Sequence, residues 1–210
     1  MYYKEPWFPE HHLADSDGLL MLGGALTPDW LLKAYRSGIF PWYNDGQPIL
    51  WWTPDPRMVV KPEDVKVSKS MRKVLRDNYF KVTYNQNFLE VIRACKQIKR
   101  TGQDGTWITN DIVDAYLRLH ELGYAISVEV WYEDELVGGL YGIDLKEKGV
   151  FCGESMFTTM SNASKVGFIT LSRKLAALNY KLIDCQMYTD HLASLGADEI
   201  SRKEFLKYLK

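Results

Sequence analysis

Two short stretches carry polar side chains inside an apolar pattern. LIDCQ, from Leu182 to Gln186, reads as a buried strand, yet it holds Asp184 and Gln186 two positions apart. Such positions share a strand face, so a carboxylate and a carboxamide would stand side by side. A lone Asp there would ordinarily be a buried acid satisfied by backbone donors, or a strand-end residue in solvent. A second polar group on the same face needs several more partners, which weighs against that bland reading. In FCGESMF, Glu154 follows Gly153 and sits between apolar residues. Either Gly153 allows a bulge at a strand-end turn, or the carboxylate is aimed into a cleft. The stretch alone leaves both open.

Aromatic and basic residues form the other two candidate groups. Trp42, Trp51, Trp52 and Trp107 lie in or near turn-rich sequence. A base stacked on such a ring is worth about 1–3 kcal/mol, although core packing is the ordinary fate of most tryptophans. Lys69, Arg72, Lys73, Arg76, Lys96, Lys99 and Arg100 fall near helix ends. They read either as a solvated face or as a phosphate-contact patch. Together these residues indicate an acidic cleft with aromatic platforms, and they do not fix a reaction.

The elements that must position these residues follow from pattern. Residues 1–62 are rich in Pro, Gly and Trp, with one clear helix in TPDWLLKAYRSG. Thr27 suits its cap, Pro28 its first position and Gly38 its end. From about Val65 the texture changes. SKSMRKVLRD, NFLEVIRACKQI, NDIVDAYLRLHELG and ASKVGFITLSRKLAALNY have helical spacing, and the tail SRKEFLKYLK reads as helical. YFKVTYN, GVFCGESMF and KLIDCQMY read as strands, and AISVEVWYEDELVGGLYGID as a hairpin turning at Glu-Asp-Glu. Helices, then strands, then a crossover helix and a further strand indicate an α/β or α+β domain.

Composition narrows the class. In 210 residues, 46% are apolar, enough for a sizeable core. The 26 basic and 27 acidic residues nearly cancel, so any nucleic-acid surface must be local. Three cysteines without CxxC spacing argue against a disulfide framework or a zinc site and suit a reducing cytosol. MYYKEPWFPEHH lacks the apolar run of a signal peptide, and no stretch approaches the ~20 apolar residues of a membrane span. A cytoplasmic monomer is expected. His191 reads as structural near a strand end, His120 as a helix residue, and His11 and His12 as part of a loose N-terminus.

Taken in order, GLLMLGGALTPDWLLKAYRSGIFPWY, PILWWTPDPR, TWIT, FCGESMF, NASK, LIDCQ and HLASLGA resemble the leucyl/phenylalanyl-tRNA–protein transferases. The resemblance runs from about Gly18 to Leu209. It implies an α+β fold: a small N-terminal domain over residues 1–62, then a GNAT-type acyltransferase domain over 63–210 with a mixed, mostly antiparallel sheet. It also implies an activity. Leu, Phe or, less well, Met passes from its tRNA to the α-amine of a protein beginning with Arg or Lys, which directs that protein to proteolysis. The aminoacyl ester is already activated, so neither ATP, metal nor cofactor is expected.

The same resemblance assigns residues. Asp184 would polarise Gln186, whose carbonyl oxygen accepts the attacking amine's hydrogen bond. A carboxylate of ordinary acidity is a poor base for an amine, so the two read as a positioning pair. Glu154 would add negative charge and hold the cationic acceptor residue. Trp42 and Trp107 would flank the terminal adenosine of the tRNA, with Tyr116 close by. Leu140, Phe151, Phe168, Leu171 and Ile183 match the side-chain pocket, although simple alternation places Ile183 opposite Asp184. Phe168 and Leu171 differ in type from the family's residues but stay bulky and apolar. Such a pocket separates single methylenes by only ~1–3 kcal/mol, so rejection of Ile and Val must rest on shape.

Two other classes compete. A CoA-dependent N-acetyltransferase needs an [RQ]xxGx[GA] pyrophosphate loop at a helix start, and RTGQDG has its glycines at the wrong offsets. A non-catalytic RNA-binding module explains Trp42, Trp107 and the basic helix ends, but not Glu154, Asp184 and Gln186.

Overall fold

Two sheets divide the work of this chain, a small one that closes over the site and a large one that builds it. The computed structural model describes residues 5–98 and 106–210. After a short 3-10 turn at His11–Leu13 come β1 (Leu19–Leu22), α1 (Pro28–Arg36), β2 (Phe40–Pro41) and β3 (Leu50–Trp52). These strands form a three-stranded sheet in the order β1-β3-β2. Then follow β4 (Arg57–Val60), α2 (Lys69–Asp77), β5 (Phe80–Tyr84), α3 (Phe88–Gln97), α4 (Asn110–Glu121), β6 (Ala125–Tyr132), β7 (Glu135–Leu145) and β8 (Val150–Thr158). The chain ends with α5 (Ala163–Ala177), β9 (Leu182–Gln186), α6 (Asp190–Ser194), β10 (Asp198–Ile200) and α7 (Arg202–Phe205). The seven-stranded sheet runs β10-β4-β9-β8-β7-β6-β5, antiparallel throughout except for the parallel β8–β9 pair. This is the mixed, mostly antiparallel α+β fold that was expected.

Local chemistry explains the elements. Ser68 and Thr109 each accept a backbone N–H of the first turn, from Met71 and Ile112, and so cap α2 and α4. Thr27 occupies the cap position of α1 without a side-chain cap bond. Gly38 ends that helix at φ +75°, where a Cβ would meet Leu206 at 2.9 Å and Phe205 at 3.0 Å. The hairpin turns on Glu133, at φ +53°, and Asp134, so Glu135 already belongs to β7. Parallel strands need a long crossover, and α5 supplies it between β8 and β9.

The large sheet has two covered faces. α5 packs on β6 and β7 over a cluster that includes Leu140, Phe151, Phe168, Leu171 and Ile183. The other face carries α3 and α4 and continues into the small sheet through Trp30, Tyr35, Trp51, Tyr116 and Tyr141. Trp30 and Trp51 stack at 6.1 Å in this second core, the packing role expected of most tryptophans. β4 is where structure and expectation part. A boundary after residue 62 assigns Arg57–Val60 to the small domain, but β4 pairs with β9 and β10 inside the large sheet. Its four residues are all buried, because a strand inside a covered sheet is apolar on both faces. No helix among the described residues is long and apolar enough to cross a membrane.

Candidate active site

The parallel pairing of β8 with β9 ends at Cys152 and Asp184. Beyond that point the two strands lose their pairing, and a cavity of about 380 Å³ is lined by both, through Glu154 and Met156 from β8 and Cys185 and Gln186 from β9. That volume lies within the ~300–1,000 Å³ range of small-molecule sites.

Two backbone irregularities aim the polar groups. In the β7–β8 ladder Tyr141 faces Ser155 and Gly142 faces Gly153, so Glu154 is the extra, bulged residue. The bulge lies mid-strand rather than at a strand-end turn, and the bulged residue lines the cavity. At the end of β9, Gln186 has φ +64°. Strand alternation therefore fails at this residue, and its amide Nε2 donates to Glu154 Oε1 at 2.6 Å. A carboxylate only accepts, so the amide nitrogen faces Glu154 and the carbonyl oxygen is left for another donor.

Asp184 does not share that arrangement. Its Oδ1 accepts from Arg57 Nε at 2.8 Å and its Oδ2 from Arg57 Nη2 at 2.7 Å. Oδ1 also accepts the backbone N–H of Gln186 at 2.9 Å. The expected polarisation of the Gln186 side chain is thus replaced by a grip on its backbone, because alternation and the guanidinium draw the carboxylate to the opposite face. Arg57 is itself sealed between the rings of Phe40 and Phe205, 4.7 and 4.6 Å from their centroids. Its Nη1 reaches the Gly38 carbonyl at 3.3 Å. One side chain thereby ties the small sheet, the C-terminal helix and β9 together. Burial of such a pair is tolerable only with this degree of hydrogen bonding.

Glu154 titrates in a different setting. Burial pushes its pKa up from the ordinary 4.5 to about 7, against hydrogen bonds from Tyr35, Tyr116 and Gln186 that pull it down and with Asp184 adding to the rise. Tyr116 Oη donates to Glu154 Oε2 at 3.0 Å, and Tyr35 Oη is hydrogen-bonded to Tyr116 Oη. Burial holds both phenols well above their ordinary range.

The remaining sequence candidates divide cleanly. Trp42 and Trp107 line the cavity, and so do Leu140, Phe151, Phe168 and Ile183. Ile183 reaches it because it lies opposite Asp184, not in spite of that. Leu171 is fully buried in the cluster behind the wall rather than on it. Tyr116 is also fully buried, so no face of it is open to a nucleoside, and its hydroxyl is committed beneath Glu154. His191 sits on α6, not a strand, and lines the cavity. Its Nε2 is buried without a hydrogen-bond partner among the described residues. His120 lies on α4, its ring stacked on Phe88 at 4.4 Å. His11 is anchored at 2.9 Å to Thr53, so this part of the N-terminus is tied down. Lys69, Arg72, Lys73 and Arg76 are exposed on α2, whereas Lys96 bonds Asn110 at 2.5 Å. Lys99, Arg100 and the RTGQDG glycines lie outside the described residues.

Arg57 and Tyr35 are the site residues that pattern reading missed. Arg57 left a signal: an Arg heading the apolar run MVV, in a protein with a buried Asp, asks for an ion pair. Tyr35 left none, since on α1 it looks like any core aromatic.

Comparison with known proteins identifies the class. The profile of the leucyl/phenylalanyl-tRNA protein transferases matches residues 59–210, and that of their N-terminal domain matches 24–55. The chain belongs to this family, and it is an aminoacyltransferase. Among its relatives, the leucyl/phenylalanyl-tRNA–protein transferase of Christiangramia forsetii is 60% identical over 100% of both chains. That of Flavobacterium johnsoniae is 58% identical over 100% of this chain and 99% of its own. Among solved structures, a GCN5-related N-acetyltransferase from Kribbella flavida aligns with a TM-score of 0.40 at 9% identity, covering 83% of this chain and 61% of that one.

Proposed function

We propose that the protein transfers Leu, Phe and, less well, Met from aminoacyl-tRNA to the α-amine of proteins that begin with Arg or Lys, marking them for proteolysis. One observation carries this reading: a single cavity is lined by Trp42 and Trp107, by the apolar Leu140, Phe151, Phe168 and Ile183, and by Glu154 and Gln186. The rings suit the terminal adenosine, the apolar wall suits the amino-acid side chain, and the polar pair suits a cationic acceptor with its amine.

The reaction is aminolysis of an ester. The acceptor nitrogen attacks the carbonyl carbon that joins the amino acid to ribose. A free α-amine has pKa ~7.7–8.0, so a fraction is neutral at pH 7. The Gln186 carbonyl oxygen accepts one of its hydrogens and points the lone pair at the ester. Asp184 fixes the Gln186 backbone for this purpose. Alignment alone is worth about 7–11 kcal/mol of barrier, enough for an activated ester.

The test is transfer of radiolabelled Leu from Leu-tRNA to a peptide beginning with Arg, without ATP or CoA. A matched peptide beginning with Ala is the control. Label entering the Arg peptide alone is the expected result. Bound tRNA with no transfer to either peptide would overturn the reading.

A further inference from the structure

We propose that Glu154 takes the proton lost by the acceptor amine and returns it to the departing ribose oxygen, with Tyr35 and Tyr116 as the positioning residues that keep it in the ionised form. The inference rests on the aminoacyl-transfer reading above and assigns it a proton path.

Geometry excludes the other carboxylate. Asp184 is fully buried, and both its oxygens accept from Arg57. Glu154 lines the cavity and is hydrogen-bonded to Gln186, the residue that holds the amine. An amine proton directed at the Gln186 carbonyl is therefore one side chain away from Glu154. The amide itself has no capacity to keep a proton.

The two tyrosines are oriented by elementary counting. A hydroxyl has one hydrogen. Tyr116 gives its hydrogen to Glu154 Oε2, so in its bond with Tyr116 it is Tyr35 that donates. Both hydroxyls then point their hydrogens toward the carboxylate, an arrangement built for its charged form. Tyr35 is 1% exposed and Tyr116 0%, so water does not substitute for either. The chain runs from α1 in the small unit, through α4, to the bulge of β8, and Tyr35 acts on Glu154 both beside Tyr116 and through it.

The step balances. The nitrogen lone pair forms the C–N bond and the carbonyl becomes tetrahedral. One N–H proton passes to the Glu154 carboxylate. The C–O bond to ribose breaks, and the leaving oxygen takes that proton. A peptide bond and a free ribose hydroxyl result, and Glu154 ends as it began. A base near pKa 7 is close to an amine at ~7.7–8.0, so the first transfer is nearly level, and return of the proton to the far more basic departing ribose oxygen is downhill. The other titratable groups around Glu154 are Tyr141 on β7, Cys152 on β8, the Asp184–Arg57 pair on β9 and β4, Cys185 on β9 and His191 on α6.

The experiment is the pH dependence of single-turnover leucyl transfer to the Arg peptide, for the full chain and for Tyr35→Phe, Tyr116→Phe and Glu154→Gln. Each Tyr→Phe change removes a hydrogen bond that favours the charged carboxylate. The rising limb should move to higher pH in both variants, by about one unit, with the rate recovering at high pH. The amine's own ionisation is common to every variant, so only the difference between variants counts. Glu154→Gln should lower the rate ~10²–10⁴-fold at every pH while tRNA binding is retained. A uniform loss of rate with an unmoved limb in both Tyr variants would make the tyrosines merely structural and overturn the proposal. So would an unaltered profile in Glu154→Gln. Should Tyr116→Phe fail to fold, the limb of Tyr35→Phe decides alone. Failure of the transfer reading itself looks different, because the unaltered protein then transfers nothing to either peptide.

Discussion

Asp184 and Glu154 are both carboxylates at the point where β8 and β9 part, and their surroundings give them opposite duties. Asp184 faces a guanidinium clamped between two aromatic rings, and its charge is balanced on the spot. Glu154 is half-buried, and its hydrogen bonds come from neutral groups, the Tyr116 hydroxyl and the Gln186 amide. A neighbouring cation makes an acid a structural anchor. Neutral donors in a partly dry setting leave its proton free to come and go near neutrality. Gln186 joins the two, giving its backbone N–H to Asp184 and its side-chain amide to Glu154. The sheet thus holds the amide by its backbone on one side and leaves its side chain on the cavity at the other.

Breaking the rigid side should have the largest effect. Asp184→Asn leaves Arg57 buried without its counter-charge, and removing one partner of such a pair costs about 3–5 kcal/mol. Urea unfolding should show that loss. Arg57→Met combined with Asp184→Leu should recover most of it, since the orphaned charge is then gone. Near-normal stability in Asp184→Asn would erase the distinction between the two carboxylates.

Gln186→Gly probes the junction. Glycine suits φ +64°, where a side chain costs roughly 1–2 kcal/mol, and the backbone bond to Asp184 is kept. Stability should hold or rise slightly. Single-turnover transfer should fall ~10²–10⁴-fold because the amine loses its acceptor. Retained turnover would reduce Gln186 to a structural link.

Much of this arrangement was legible before any coordinates, for identifiable reasons. Helix caps and apolar spacing marked α1 to α5, and β-branched and aromatic runs marked β5 to β9, because local rules govern them. β4 and β10 escaped: each is short, and each exists through partners distant in sequence. β4 follows a proline-rich stretch, and β10 is the triplet Asp198–Ile200, whose first two residues are acidic. At the site, residue type and company pointed to Asp184, Gln186 and Glu154 but misjudged how they meet. Perfect alternation places Asp184 and Gln186 side by side. The positive φ of Gln186 and the bulge at Glu154 undo that alternation, and neither is written in side-chain period. Tyr116 was drawn to the right neighbourhood but the wrong surface. Its ring lies under the carboxylate, in contact with Tyr35 and Tyr141, and a helical pattern does not reveal what lies above a buried face.

The smallest effect follows the titration of Glu154. The Glu154 pKa is raised in the fold, from the ordinary 4.5 to about 7. Between those values the native state binds more protons than the unfolded chain, so stability falls as pH rises through that window and levels off above it. Below about pH 4.5 both states are protonated and Glu154 contributes no slope. Glu154→Gln should remove this decline. The measurement is the difference in urea midpoint between the two proteins from pH 4.5 to 8. His11 and His191, whose pKa values burial lowers, titrate alike in both proteins and cancel in the difference. A variant that gains relative stability as pH rises would place the mobile proton on Glu154. A flat difference would mean that Glu154 carries no mobile proton in this range, and the contrast between the two sides of the sheet would collapse.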